Sequence, residues 1–152
     1  MIAKPTTEQI LNDCSRELME TVLGAVEDET VKVAIYMLDL VLRNAAVRSA
    51  HEIAWMQDEI VGLQSFAQSV LAARPDAPGV ADAIADLDAR PTSLHLDDVV
   101  ESYRRASEAF SRAMDVVVAA GDDEAVRRGE ALLDTRVERE TTNMCGWSPV
   151  GR

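Results

Sequence analysis

The sequence predicts an all-α protein, an up-down helical bundle of four or five main helices in which the second helix could be very long. Apolar residues recur at helical spacing through most of the 152 residues. Three of the five prolines lie in a single stretch, residues 75–93, so helix breakers are concentrated in one connector. Apolar residues make up 47% of the chain but aromatic residues only 4%, which predicts an aliphatic core.

The first helix is predicted over about residues 7–25. Thr6 and Gln9 form a T-x-x-Q pattern, which is typical of a capping box at a helix N-terminus. Cys14 lies on the apolar stripe of this helix, so we expect its thiol to be buried. The stripe consists of Ile10, Leu11, Cys14, Leu18, Val22 and Val26.

The second helical segment, residues 31–74, is free of proline and contains a single glycine. Its two halves each keep a regular apolar spacing, but they differ in phase around Ser49. The acidic run Glu27-Asp28-Glu29 before it suits the N-terminus of a helix, where the helix dipole favours carboxylates. We expect residues 31–45, together with residues 96–120, to supply most of the core.

Whether this segment forms one helix or two is left open by the sequence, although its length favours a break or bend near Ser49. An unbroken helix would be about 65 Å long, whereas a compact domain of this size is about 40 Å across. Ser49 and Glu52 form a second capping-box pattern at the phase change. If the chain turns there, Trp55 packs inward. If the helix continues, Arg48, Glu52, Trp55 and Glu59 share one face that would suit a partner.

The C-terminal half is predicted as a connector followed by two helices. Residues 75–93 form the connector, with a short helix around Val80, Ile84 and Leu87. The next helix covers residues 96–120 and ends at Gly121. Asp122 or Asp123 then caps a solvated outer helix over about residues 124–142. We therefore expect one helical-bundle domain over residues 1–144, and an irregular tail over residues 145–152 that contains Cys145 and Trp147.

His51 and Glu52 raise the question of a metalloprotease motif, because the stretch SAHEIAWMQDE opens with His-Glu. A zinc-binding helix needs a second histidine one turn later, and that position is Trp55. The chain's other histidine, His95, lies in a connector. Thiol, serine-hydrolase and phosphate-loop patterns are absent too. The sequence therefore predicts no catalytic residue, no metal site and no cofactor.

Charge and hydropathy narrow the partners and the compartment. The formal net charge is −12, which disfavours nucleic acid and anionic membranes, since both bind basic surfaces. No apolar run is long enough to span a bilayer, and the N-terminus lacks the apolar region of a signal peptide. The expected location is the cytoplasm.

Five residues are the best candidates for a pocket or an interface: His51, Glu52, Trp55, Glu59 and Tyr103. The first interpretation is a non-enzymatic accessory or interaction protein that forms a homodimer through the apolar faces of its long helices. The alternative is a binding protein or enzyme that holds an apolar or acyl-type ligand in a pocket between helices.

The opening PTTEQILNDCSRELMETVLGAVEDE, the helix that follows and the HE…DEI stretch resemble a group of uncharacterised small helical bacterial proteins. The resemblance covers about the first 65 residues. This chain has Leu23-Gly24-Ala25 where many members carry a proline. Members are often encoded beside aminoglycoside-phosphotransferase-like kinases and acyl-CoA dehydrogenases. The resemblance therefore implies an accessory role with a possible enzyme partner, and it implies no site residues.

Overall fold

The computed structural model describes residues 4–143, with side chains through residue 141, and this part of the chain is all-α, as predicted. It forms two compact units. The first contains the residues up to Glu52 and those from Arg139 onward, and the second is Ile53–Glu138. The predicted irregular tail, with Cys145 and Trp147, lies outside the described residues. In the described part, no helix is long and apolar enough to cross a membrane.

The first helical region begins where the sequence predicts. Helix α1 is Thr7–Glu17; a π-helical turn at Leu18–Val22 and the short helix α2, Leu23–Ala25, continue it. The Thr6 hydroxyl accepts a hydrogen bond from the Gln9 backbone N–H at 3.2 Å, and the Thr6 backbone N–H donates to the Gln9 side chain at 3.0 Å. The predicted capping box is therefore confirmed.

The expectation that Cys14 is buried is wrong. Cys14 is exposed, and the buried residue of α1 is its neighbour Ser15. One residue corresponds to a rotation of about 100° on a helix, so the buried face differs from the most apolar stripe. The hydrogen bond between Ser15 and the buried Asp39 accounts for this choice of face.

Helix α3 is a single helix of 45 residues, Glu29–Ala73, so the very long second helix is confirmed and the favoured break near Ser49 is wrong. Ser49 does not cap a new helix, because its hydroxyl donates to the carbonyl of Ala46 at 2.8 Å, within the helix. Arg48 and Glu52 form an ion pair one turn apart across the same position. No glycine or proline interrupts residues 43–52, and alanine favours the continuation of a helix.

The core of the second unit joins four helices. They are the second half of α3, α4 (Val80–Asp88), α5 (Leu96–Ala119) and α6 (Asp123–Asn143). The short helix expected inside the connector is α4. Phe66 and Phe110 meet at the centre, with ring centroids 5.1 Å apart. The core residues of α3 and α4 are Ile60, Leu63, Phe66, Ala67, Val70, Val80, Ala83, Ile84 and Leu87.

Helix α5 supplies much of this core, as expected for residues 96–120, but residues 31–45 do not. Their one buried apolar side chain is Ile35. The share of α3 in the core comes from residues 60–70 instead. The apolar first half of α3 is therefore left with an exposed surface.

The turn between α5 and α6 follows its predicted chemistry. Gly121 has φ +66°, the left-handed conformation that ends many helices. The Asp122 side chain accepts from the Ala125 backbone N–H at 3.1 Å and from Arg74 at 2.9 Å. These two hydrogen bonds lower the pKa of Asp122, the backbone bond contributing more. Asp122 therefore caps α6 and ties it to the end of α3.

Candidate functional site

The first half of α3 has a buried side that carries its charged residues. Ile35 and Asp39 are buried there, one turn apart. Asp39 accepts a 2.5 Å hydrogen bond from Ser15 and forms a 2.7 Å ion pair with Arg43. Lys32, near the same side, pairs with Glu29 at 2.7 Å. The charged groups of this segment are thus paired within the first unit.

The opposite side of the same segment is apolar and exposed. Val33, Met37 and Val41 recur every four residues, and at about 100° per residue they lie across the helix from Ile35 and Asp39. Their exposed fractions are 60%, 51% and 61%. We call this surface the α3 apolar face. Its members are Val33, Tyr36, Met37 and Val41; Val31 and Leu38 are exposed as well but lie toward the side of Ile35.

No charged residue interrupts the α3 apolar face. Between Thr30 and Leu42 the charged residues are Lys32 and Asp39, and both belong to the other side. Four half-exposed large side chains expose on the order of 400 Å², within the size range of the largest apolar patches on monomeric proteins, which are often functional. A helix that is apolar on both sides is normally covered on both sides.

The N-terminal end of the face is acidic, and its C-terminal end holds a cation, Arg48, that is paired with Glu52. Glu27, Asp28 and Glu29 at its N-terminal end are exposed, and Asp28 caps α3 by accepting from the Thr30 backbone N–H at 2.7 Å. At the C-terminal end, the side chain of Arg48 is 68% exposed. The hydrogen bond from Arg48 to Glu52 raises the pKa of this guanidinium, and the charges of Glu52 and Glu140 add to the effect.

The structure distributes the five candidate residues over the two units. In the first unit, His51 is exposed and Glu52 is half-buried as the ion-pair partner of Arg48. In the second unit, Trp55, Glu59 and Tyr103 are half-buried. Of these three, Glu59 and Tyr103 are joined by a direct hydrogen bond.

Glu59 and Tyr103 form a cluster with Arg136, a residue that sequence reasoning missed. The Tyr103 hydroxyl donates to the Glu59 carboxylate at 2.8 Å, and the Arg136 guanidinium lies 5.6 Å from the centre of the Tyr103 ring. This cluster links α3, α5 and α6, and Tyr103 also packs against the core. A tyrosine hydroxyl that donates to a carboxylate can hold helices together or present a polar group to a ligand.

The described residues offer no metal centre. Within them, no group of three or more His, Cys, Asp or Glu side chains is placed to hold a metal ion. In residues 4–141, every buried side-chain nitrogen or oxygen atom has a hydrogen-bond partner. The buried polar groups of this part therefore need no ligand to satisfy them.

Comparison with known proteins gives no family for the chain. No protein-family model matches it, and neither a curated protein nor a solved structure matches it.

Proposed function

We propose that this protein is a non-enzymatic interaction protein that acts as a homodimer through the α3 apolar face. One observation carries the proposal: the α3 apolar face presents large apolar side chains to solvent, and the two charged residues of the stretch Thr30–Val41, Lys32 and Asp39, lie on the other side of the helix. In a chain with a net charge of −12, charged residues are abundant elsewhere. Exposing such a face to water costs free energy, so a partner that covers it is favoured.

The size of the face fits a small but specific interface. Two copies that pair face to face would bury about 800 Å² from these four side chains, close to the lower bound of about 1,000 Å² for a specific protein–protein contact. Flanking side chains add area in a helix pair, and a symmetric contact uses the same residues twice. An area at this lower end is typical of weak contacts, and we expect a dissociation constant in the micromolar range.

The resemblance of the first 65 residues adds the biological setting of the proposal. It favours an accessory role beside a kinase or dehydrogenase in the bacterial cytoplasm. The homodimer would then be the form that binds the enzyme partner. Co-purification with the enzymes that the adjacent genes encode tests the accessory role. This test does not depend on the dimer.

Size-exclusion chromatography with light scattering tests the dimer directly. The native chain should elute as a dimer at micromolar concentration, and Val41→Lys should shift it to a monomer. Val118→Lys is the matched control, because Val118 is 60% exposed and Val41 is 61% exposed. A native chain that is monomeric at high micromolar concentration rules the proposal out.

A second candidate function, a small-molecule binder, draws on the Glu59–Tyr103–Arg136 cluster. This cluster places polar groups beside apolar core residues, which is the arrangement found in pockets for apolar or acyl-type ligands. A thermal-shift screen with acyl-CoA compounds, nucleotides and metal ions tests it, because a specific ligand raises the melting temperature. Tyr103→Phe should abolish such a shift, and a screen with no shift counts against this candidate.

A further inference from the structure

We infer that two copies dock with their α3 helices antiparallel, about a two-fold axis near Met37. This inference rests on the proposed homodimer and specifies its geometry. Val33 of one copy then lies opposite Val41 of the second, and Met37 meets Met37. The acidic end of each face, Glu27–Glu29, lies beside Arg48 of the other copy.

The charges at the two ends of the face decide the direction. A parallel pair would place three consecutive carboxylates next to the same three carboxylates of the second copy. Like charges in contact are destabilising, and a net charge of −12 on each chain increases the repulsion. An antiparallel pair brings the acidic end next to Arg48 and also opposes the two helix dipoles. Electrostatic complementarity of this kind selects orientation.

The spacing along the helix agrees with this arrangement. Val33 and Val41 are both four residues from Met37, or about 6 Å along the axis. With the axis at Met37, Glu29 is level with residue 45 of the second copy. Arg48 is three residues further along, about 4.5 Å, which a long arginine side chain can span.

Arg48 can serve both its own chain and the second copy. Its ion pair with Glu52 lies within one copy, but its side chain is 68% exposed. A guanidinium has five N–H donors, so one fork can bind Glu52 while the remaining donors reach a carboxylate of the second copy. Asp28 is occupied in capping α3 and Glu29 in pairing with Lys32. Glu27 and the outer oxygen of Glu29 are the expected acceptors.

Site-directed disulfides test the direction in the full-length chain. Cys14→Ser and Cys145→Ser provide the background, because Cys14 is exposed and would itself react. A disulfide needs the two Cα atoms within about 7 Å. In the antiparallel pair, two copies of residue 33 are about 12 Å apart along the axis, whereas residue 37 meets its own copy.

The expected pattern is specific. Met37→Cys forms a disulfide-linked dimer on mild oxidation. Val33→Cys alone and Val41→Cys alone do not, but an equal mixture of the two does. If Val33→Cys and Val41→Cys each cross-link to themselves, the homodimer stands and the antiparallel direction is wrong. If no variant cross-links and the background chain is monomeric by light scattering, the proposed function itself fails.

Charge reversal gives a second, independent readout. Arg48→Glu should weaken dimerisation at least tenfold, because it places like charges at both ends of the interface. Adding Glu27→Lys and Glu29→Lys to it should restore the dimer to within about threefold of the native chain. Failure of this rescue, with helicity unchanged by circular dichroism, overturns the contact between Arg48 and the acidic end.

Discussion

The Ser15 hydroxyl donates a 2.5 Å hydrogen bond to Asp39, and both side chains are buried, so a polar contact joins α1 to α3 in the first unit. Asp39 also binds Arg43, so its carboxylate is held by two donors. A buried carboxylate is costly unless its oxygens are satisfied. The pair therefore fixes which residue of α1 faces α3.

Removing the Ser15 hydroxyl should destabilise the protein. Ser15→Ala leaves one oxygen of the buried Asp39 carboxylate without its donor, at a cost of about 1–3 kcal/mol. Ser111→Ala is the matched control, because Ser111 is exposed on α5. Urea unfolding followed by circular dichroism measures both. Equal stability of the two variants would show that the hydrogen bond does not hold α1 in place.

The carboxyl of Glu101 should titrate far below its ordinary pKa. Hydrogen bonds from Arg104 and then from Arg105 favour the charged carboxylate and lower its pKa from 4.5 to about 2. Because the pKa is lower in the folded chain, the stabilisation is present above pH 4.5 and is lost as the pH falls toward 2. Carboxyl-carbon NMR measures the pKa directly.

The cause of that shift can be separated in the same experiment. Arg104→Ala and Arg105→Ala should each raise the pKa of Glu101, with the larger change for Arg104, whose hydrogen bonds contribute more. Salt should raise it as well, because the group is at the surface and its ion pairs are screened. A pKa of Glu101 near 4.5 in the native chain contradicts the geometry.

Two helical glycines should respond in opposite ways to alanine. Gly24 has no atom within 4 Å of an added Cβ, so Gly24→Ala should stabilise by about 0.5–1 kcal/mol through helix propensity. A Cβ at Gly129 would lie 2.2 Å from the Met114 sulfur and 3.2 Å from the Phe66 ring. Overpacking costs about 1–3 kcal/mol, so Gly129→Ala should destabilise. Thermal unfolding gives both signs.

A double-mutant cycle identifies the side chain responsible at Gly129. If Met114 is the obstacle, the cost of Gly129→Ala should shrink or vanish in a Met114→Ala background. An unchanged cost would assign the conflict to Phe66, whose ring is fixed against Phe110.

Tyr103→Phe should cost about 1–2 kcal/mol if the Glu59–Tyr103 hydrogen bond holds α3 to α5. The substitution keeps the ring and its contact with Arg136, so it removes the hydroxyl alone. Chemical unfolding monitors the change. Ser111→Ala, at an exposed position of the same helix, is the control for a change without effect on the core. A fully stable Tyr103→Phe would exclude a structural role for the hydroxyl.

The sequence predicted the helix boundaries of this fold well, because the interactions that end a helix are local. Thr6 and Gln9, Gly121, and Asp122 act within one helical turn of the backbone groups that they satisfy. Such interactions depend on neighbouring residues alone, so a short stretch of sequence contains all the information they need.

The exposed and buried faces were harder to predict because they depend on distant partners. Ser15 is buried because Asp39 lies opposite it, 24 residues away, and no local pattern shows that. Ser49 has the same spacing to Glu52 as a capping box, yet it binds Ala46 within a continuous helix. One signal for the α3 apolar face was present: Val33, Met37 and Val41 lie opposite Ile35, so residues 31–45 are apolar on two sides.

The candidate residues were predicted only in part, again because their contacts join positions that are far apart in the sequence. Glu59 and Tyr103 are 44 positions apart and meet in a hydrogen bond. Arg136 completes their cluster from α6, where charged residues are common and no pattern distinguishes one arginine from the others.

Small residues line the buried side of α5, and they limit which substitutions the protein can accept during evolution. Ser102, Ala106, Ala109 and Ala113 recur at alternating intervals of four and three, and all are buried. A larger side chain at any of them would push a neighbouring helix away, whereas the charged outer surface can vary freely. Distant relatives of this protein should therefore keep small residues at this spacing even where their overall sequence identity is low.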